Sequence, residues 1–234
     1  MTLSPAIGKD IMDASNIFVI FRSNQVVRSR QLMNLLAHIY LSGTSEKVKV
    51  GNFIGDYVKG KGYRDYPPMV RKGILLHRTI DTYTDHSKIP KQVKKLLRPF
   101  YRKYAGIVVD VFYDHFLANS WENYCSVPLA EFVDDFYRIL DANFDVLPPA
   151  VQDFVPRMIK HNRLYSYTRV EGIEKALEVM SRYSSLPAQT PRAMDVLEKH
   201  YDMINENFQR FFPQIIRHVS GKYSLDIEYQ MGME

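Results

Sequence analysis

The sequence has a single cysteine, Cys125, among its 234 residues, so the chain cannot form an internal disulfide bond. This usage is typical of a reducing compartment, and we expect a cytoplasmic protein. No apolar stretch approaches the roughly 20 residues that a membrane-spanning helix needs. The longest early apolar run, residues 17–21, is followed by Arg22 and has neither a basic leader nor a small-residue cleavage site. The sequence therefore predicts a soluble protein without a signal peptide.

Alternating strand patterns and glycine-rich hairpin turns are also scarce, and there is no internal repeat or low-complexity tract. Helical periodicity instead continues along the chain from Met33, with glycine or proline between the segments. Predicted helices cover residues 33–42, 50–58, 67–85, 90–100, 107–120, 129–144, 148–163, 170–184 and 191–217. The pattern predicts an all-α fold, in a single helical-bundle domain.

The first 32 residues differ from the rest because they lack a sustained apolar period and end in a basic segment. We predict a poorly ordered N-terminal extension over residues 1–32, a helical domain over 33–220 and a C-terminal tail over 221–234. Two explanations of the extension stay open. It is a mobile appendage, or Met33 is the physiological start.

Basic residues outnumber acidic ones, with a net charge of +5 and a pI of about 9.1. This excess favours an acidic partner without identifying it. Residues 87–104 contain seven basic residues and no acidic one. Five of them recur at helical spacing: Lys91, Lys94, Lys95, Arg98 and Arg102. A solvated helix face and a docking surface both explain this pattern.

Paired histidine and aspartate residues stand in two apolar segments. In LLHRTID, His77 and Asp81 are four residues apart and share one helix face. In DVFYDH, Asp110 and Asp114 repeat that spacing, and His115 follows. A buried carboxylate without a partner is costly, and a divalent cation is an effective partner. Each pair alone is equally explained by an ordinary ion pair or hydrogen bond.

Two further polar residues lie in apolar surroundings, His38 in LLAHIYL and Asp56 in GNFIGDYVKG. Small Gly51 and Gly55 allow helices to approach closely there. Helices of a bundle can direct such side chains to one point, as in many metal sites. Mixed imidazole and carboxylate ligands suit Mn²⁺, Fe²⁺ or Zn²⁺ better than Ca²⁺. The sequence therefore predicts a divalent metal site.

These motifs resemble the acyl carrier protein phosphodiesterase family. The resemblance rests on the segments MNLLAHIYLS, GNFIGDYVKG, YPPMVRKGILLHRTIDTYTD and VVDVFYDHFLANSW, and extends more loosely to about residue 218. It implies an α-helical enzyme distantly related to HD-type phosphohydrolases and dependent on a divalent metal, usually Mn²⁺, with Mg²⁺, Fe²⁺ or Zn²⁺ as alternatives. Such enzymes hydrolyse holo acyl carrier protein to the apo protein and 4′-phosphopantetheine.

The resemblance also covers each proposed site residue. We assign metal binding to Asp56, His77, Asp81 and Asp114, and catalytic roles to His38, Asp110, His115 and Arg78. His38 and His115 would orient a ligand or protonate the departing serine oxygen, and Arg78 would stabilise phosphoryl charge unless it forms a surface salt bridge. The basic helix becomes the docking face for the acidic carrier protein.

Two other functions remain open. An HD-type phosphohydrolase acting on a nucleotide or a guanosine polyphosphate would use the same ligands, together with a base-binding pocket. A helical nucleic-acid-binding module would use the basic helix, but it leaves the His/Asp groups unexplained, and no helix-turn-helix or aromatic RNA motif supports it. We therefore expect an acidic protein partner, and neither nucleic acid nor a membrane.

Overall fold

The computed structural model describes residues 35–229. Within this range the chain is largely helical and has no β-strand, which confirms the predicted all-α single domain. The α-helices are α1 (Leu35–Tyr40), α2 (Glu46–Phe53), α3 (Pro68–His86), α4 (Lys91–Tyr101), α5 (Ala105–Asn119), α6 (Leu129–Ala142), α7 (Pro149–Gln152), α8 (Val155–Lys160), α9 (Val170–Tyr183), α10 (Thr190–Lys199) and α11 (Tyr201–Tyr223). No helix in this part of the chain is long and apolar enough to cross a bilayer.

Two long predicted helices are split in the structure. The segment over 148–163 forms α7 and α8, because Pro156 in the first turn of α8 cannot continue a preceding helix. The segment over 191–217 forms α10 and α11, which are separated at His200 with φ −125° and ψ 23°. Pro213, in contrast, lies inside α11 without ending it. A proline thus marks the boundary between α7 and α8, whereas no proline marks the boundary between α10 and α11.

Helix α5 forms the centre of the molecule, and nearly all of its residues are buried. Helices α1 and α4 pack on it, and α9 and α11 also contact it. Its apolar side chains, such as Val108, Phe112 and Leu117, belong to one continuous core. A helix that is apolar all round is expected at such a position. Its polar residues are therefore buried as well.

Helices α2 and α3 touch through their backbones at two glycines. A Cβ atom on Gly51 would lie 2.0 Å from the carbonyl oxygen of Val70, and one on Gly73 would lie 2.3 Å from that of Val48. No side chain fits at either position, since real Cβ atoms do not approach so closely. The predicted close approach at Gly51 is confirmed. It brings the end of α2 against the middle of α3, where the candidate site lies.

The C-terminal segment packs back onto the helices. The predicted boundary at residue 220 falls inside α11, which continues to Tyr223. The backbone N–H of Ser126 donates to the Glu228 carboxylate at 3.0 Å, and the Tyr40 hydroxyl donates to the Glu228 carbonyl. The ring of Tyr229 stacks on Tyr124 with centroids 5.7 Å apart. The predicted disorder of residues 1–32 lies outside the described residues.

Candidate metal centre

Three of the predicted site residues converge from two helices. His38 comes from α1, and His77 and Asp81 come from adjacent turns of α3. The Nε2 atoms of His38 and His77 lie 3.5 Å and 3.4 Å from the two carboxylate oxygens of Asp81. One ligand-type atom from each residue lies within 4.8 Å of the others. The structure thus forms a compact group of two imidazoles and one carboxylate.

Asp56 reaches the same group from a short 3₁₀ turn, Gly55–Tyr57, that follows α2. Its Oδ1 atom lies 3.5 Å from Nε2 of His77. The preceding Gly55 is required for this approach, because a Cβ atom there would lie 2.3 Å from Cγ of His77. The predicted helix over 50–58 therefore ends at Phe53, and the turn after it, not the helix, presents Asp56.

Asn52, which no sequence motif marks as a site residue, fixes the orientation of His38. The Asn52 amide nitrogen donates to the His38 carbonyl at 2.7 Å and to the Ser42 hydroxyl at 2.9 Å. Its oxygen must therefore face Nδ1 of His38, at 2.6 Å. An amide oxygen accepts only, so Nδ1 carries the proton and Nε2 presents its lone pair to Asp81. Metal-binding histidines are commonly held in this way.

The electrostatics of the group favour a cation. Nε2 of His38 and Nε2 of His77 are buried, and neither has a hydrogen-bond partner among residues 35–229. Burial lowers the pKa of His77, but the carboxylates of Asp56 and Asp81 outweigh this effect, and the pKa is raised overall. The site therefore attracts positive charge. Donor atoms that share one cation at about 2.1 Å lie roughly 3.0–3.4 Å apart. The histidine–aspartate distances of 3.4 Å and 3.5 Å are close to this spacing, and the three ligand atoms as a group lie within 4.8 Å of one another.

The space beside these residues also fits an ion or a water molecule. A cavity of about 10 Å³ is lined by His38, Asn52, Asp56 and His77, with Phe53 among its apolar walls. That volume is about one water-sized sphere. Nitrogen and carboxylate donors around such a cavity suit a borderline divalent cation. The residues present therefore fit the metal that the sequence analysis expects.

Asp114, a predicted metal ligand, belongs to α5, and its carboxylate lies against the N-terminus of α1. Its Oδ1 and Oδ2 atoms accept hydrogen bonds from the backbone N–H groups of Ala37 at 2.9 Å and Leu36 at 3.1 Å. Burial raises the pKa of Asp114 to about 8, although these two hydrogen bonds lower it. A carboxylate here satisfies amides that a helix N-terminus leaves unpaired. Asp114 thereby holds the helix that carries His38, and its metal role stays a prediction.

His115 and Asp110 occupy other faces of α5. Nδ1 of His115 lies 2.8 Å from the carbonyl oxygen of Tyr167, and Nε2 lies 3.0 Å from the Tyr201 hydroxyl. Both ring nitrogens therefore have partners, and burial lowers the pKa of His115. Asp110 is buried with Oδ1 unpartnered, and burial raises its pKa well above the usual value while Lys94 opposes the rise. Their predicted catalytic roles stay predictions.

Arg78 and Lys94 also have internal contacts. The Arg78 guanidinium donates to the carbonyl oxygens of Gly60 at 2.9 Å and Val58 at 2.8 Å, which holds the loop that follows Asp56. Lys94 is only 13% exposed, and its Nζ lies 3.2 Å from the Asp85 carboxylate. Of the predicted docking residues, the other four are exposed: Lys91, Lys95, Arg98 and Arg102.

The family model and the known proteins that match this chain all carry the same name. The family model described as acyl carrier protein phosphodiesterase matches residues 33–215. A protein of that name from Klebsiella pneumoniae subsp. pneumoniae is 34% identical over 199 residues, which covers 81% of this chain and 99% of the relative. Relatives of the same name from Escherichia coli O139:H28 and Yersinia pestis, with the same coverage, are 33% and 27% identical. No solved structure gives a significant match. The chain belongs to the acyl carrier protein phosphodiesterase family, a family of enzymes.

Proposed function

We propose that this protein uses a divalent metal to hydrolyse the phosphodiester that joins 4′-phosphopantetheine to a serine of holo acyl carrier protein. The products are apo acyl carrier protein and 4′-phosphopantetheine. Family membership and the names of the relatives support the substrate. The observation that carries the metal-dependent mechanism is the convergence of His38, His77 and Asp81 with two buried, unpartnered imidazole nitrogens.

The cation would be held by His38, His77 and Asp81, with Asp56 as the fourth donor beside them. Mn²⁺ is the first candidate, and Mg²⁺, Fe²⁺ and Zn²⁺ are alternatives, because nitrogen and carboxylate donors are mixed. When bound, such a cation polarises a phosphoryl oxygen and lowers the pKa of a coordinated water toward neutrality. Four protein donors leave positions open for water or substrate on a cation such as Mn²⁺, which takes up to six ligands.

The side chains around the site hold it in shape before substrate arrives. Asn52 fixes the His38 tautomer, and Gly55 sets the distance between the Asp56 turn and the His77 ring. Arg78 holds the loop that follows that turn, and Asp114 anchors the start of α1. Preorganisation of this kind reduces the reorganisation that catalysis requires.

The exposed basic side of α4 supports an acidic protein as the partner. Lys91, Lys95 and Arg98 recur on one side of the helix, while Val93 and Leu97 are buried in the core. Lys94 ties this helix to α3 through Asp85, four residues beyond Asp81. The basic surface therefore lies next to the helix of the metal centre. Charges so placed accelerate and orient the approach of an acidic protein.

The reaction is tested by incubating purified protein with holo acyl carrier protein and Mn²⁺, and following conversion to the apo form by mass spectrometry. We expect the mass of one 4′-phosphopantetheine group to be lost, and EDTA to stop the conversion. His77→Ala and Asp81→Ala should abolish it, whereas His161→Ala, at an exposed histidine outside the site, should not. Hydrolysis of nucleotides without conversion of the carrier protein would instead support the HD-type alternative.

The docking surface needs a separate measurement, the salt dependence of kcat/KM for the carrier protein. Lys95→Glu should raise KM several-fold at low ionic strength and reduce the salt dependence, since an exposed charge acts mainly on encounter. Lys175→Glu, at an exposed lysine of α9, is the matched control. An unchanged salt response in the Lys95 variant would contradict docking at α4.

A further inference from the structure

A second cavity lies on the side of α3 that faces away from the metal centre. It has a volume of about 660 Å³ and is formed by the C-terminal half of α3, the loop before α4 and the last turns of α11. Residues advance by about 100° around a helix, so Thr79, Tyr83 and His86 lie on the side opposite His77 and Asp81. The volume is within the range of small-molecule sites. The metal centre does not account for this cavity.

The walls of the cavity carry positive charge without compensation. Lys88 and Lys222 line it together with His86 and His218, and none of the described lining residues is an Asp or a Glu. Neither lysine forms an ion pair with any residue in the range 35–229. Cations that converge on a recess without a carboxylate favour an anionic ligand.

Lys222 is exposed, and its ammonium group makes one long hydrogen bond among residues 35–229. Its Nζ lies 3.4 Å from the Thr79 hydroxyl, which lies 2.7 Å from the Tyr223 hydroxyl. Tyr223 in turn donates to the carbonyl oxygen of Leu75 at 2.9 Å, so the chain of donors runs away from the cavity. An ammonium group has three donors, and at most one is used here. The others can bind oxygens of a phosphate.

The remaining lining combines aromatic and apolar side chains with the polar side chains of Thr82, Ser87 and Gln214. Tyr83 stacks on His218, with ring centroids 4.6 Å apart and planes inclined by 27°. Ile89 lies next to them in the lining. Such a surface can pack against the arm of a ligand and form hydrogen bonds with it, while the lysines bind its charged end. The combination selects an organic phosphate over inorganic phosphate.

We infer that this cavity binds an organic phosphate with an extended organic arm, at a site separate from the metal centre. The choice of 4′-phosphopantetheine as the probe rests on the proposed function, because the proposed reaction releases it. Bound there, the released compound would occupy a position apart from the metal. It would thus be retained on the enzyme without blocking the centre.

The test is isothermal titration of the metal-free protein with 4′-phosphopantetheine, which requires no turnover. We expect saturable binding at one site, and weaker binding of both pantetheine, which lacks the phosphate, and inorganic phosphate. Lys222→Ala should reduce the affinity about tenfold or more through the loss of a charged hydrogen bond. Lys88→Ala should reduce it less, and Lys175→Ala, at an exposed lysine of α9, should leave it unchanged.

A variant at the metal centre, Asp81→Asn, is the control, and it should retain the affinity for 4′-phosphopantetheine. Loss of binding in Asp81→Asn with normal binding in Lys222→Ala would place the ligand at the metal centre and overturn the inference. Equal affinity for pantetheine, or no binding of any probe, would also overturn it. The proposed function fails on a different measurement, the conversion of holo acyl carrier protein, so the two failures can be distinguished.

Discussion

The segments around His77 on α3 and around His115 on α5 carry the same kinds of residue, a histidine and aspartates among apolar neighbours. Their surroundings differ. At His77 the Nε2 atom is buried, has no hydrogen-bond partner among the described residues, and faces two carboxylates. At His115 both ring nitrogens are hydrogen bonded, and the neighbouring Asp114 accepts two backbone N–H groups. Nε2 of His77 is therefore a ligand candidate, whereas both ring nitrogens of His115 already have partners.

The largest expected effect is on turnover, where substitutions of His77 and of His115 should differ. His77→Gln should reduce conversion of holo acyl carrier protein by about 1,000-fold or more, since a metal contributes several kcal/mol of charge stabilisation. His115→Gln should keep Mn²⁺ binding and most of the turnover, because glutamine can still donate to the Tyr167 carbonyl. Metal titration and turnover are measured on both variants. Equal losses in the two would remove the distinction between the segments.

The two aspartates should separate by stability. Asp114→Ala leaves two buried backbone N–H groups of α1 unpaired, and we expect a loss of about 2–4 kcal/mol in the free energy of unfolding. Asp81→Ala removes a carboxylate that is 28% exposed, and should change stability by less than about 1 kcal/mol. Urea denaturation of the metal-free proteins provides both values. A larger loss for Asp81 would assign it a structural role.

Two asparagines offer a finer comparison, since each lies next to one of the histidines. Asn52 fixes Nδ1 of His38, whereas the amide of Asn119 lies 3.1 Å from Nδ1 of His115. Asn52→Leu should weaken Mn²⁺ binding by about 10–100-fold, the usual cost of losing the residue that orients a metal ligand. Asn119→Leu should leave Mn²⁺ affinity unchanged. Similar affinities in the two variants would show that Asn52 does not position the site.

The smallest expected effect is on the pH dependence of the free energy of unfolding. In the metal-free protein the pKa of His77 is raised, so its contribution to stability is present below about pH 6.5 and is lost as the pH rises through the folded-state pKa. The pKa of His115 is lowered by burial, so its contribution has the opposite sign and is lost as the pH falls below about 6.5.

Urea unfolding between pH 5.5 and 8 tests both signs. Relative to the unchanged protein, His77→Gln should remove stability mainly at the acidic end, and His115→Gln should reduce the loss of stability there. Parallel curves for the two variants would contradict the assignment. The protein must be free of metal, because a bound cation keeps His77 unprotonated.

Local patterns predicted much of the fold. Proline positions and helical spacing located α3, α4, α5, α6 and α9 to within a few residues, because first-turn prolines and glycine breaks act on the nearby backbone. They did not predict the end of α2 at Phe53, where the close contact of Gly55 with His77 requires a turn. Nor did they predict the break at His200, which no glycine or proline marks.

The residues of the candidate site were likewise predicted in part from the sequence. The spacing of His77 and Asp81, and the apolar setting of His38 and Asp56, were sufficient to propose a metal site. Asn52 was missed, because an asparagine inside a helical segment gives no signal of the histidine it will contact 14 residues away. Lys94 was grouped with exposed lysines, since helical spacing alone does not reveal that Asp85 and α5 enclose it.

The sequence by itself determined that this chain is all-α, that it belongs to its family, and which residue types are available for metal chemistry. These properties depend on periodicity, local breaks and the order of motifs, all of which are written along one chain. The tertiary structure alone decided which histidine nitrogens are left unpartnered, since this depends on hydrogen bonds between helices that are distant in sequence. Of the two similar His/Asp segments, the one on α3 contributes to the candidate metal centre, and the one on α5 forms hydrogen bonds with α1 and with Tyr167.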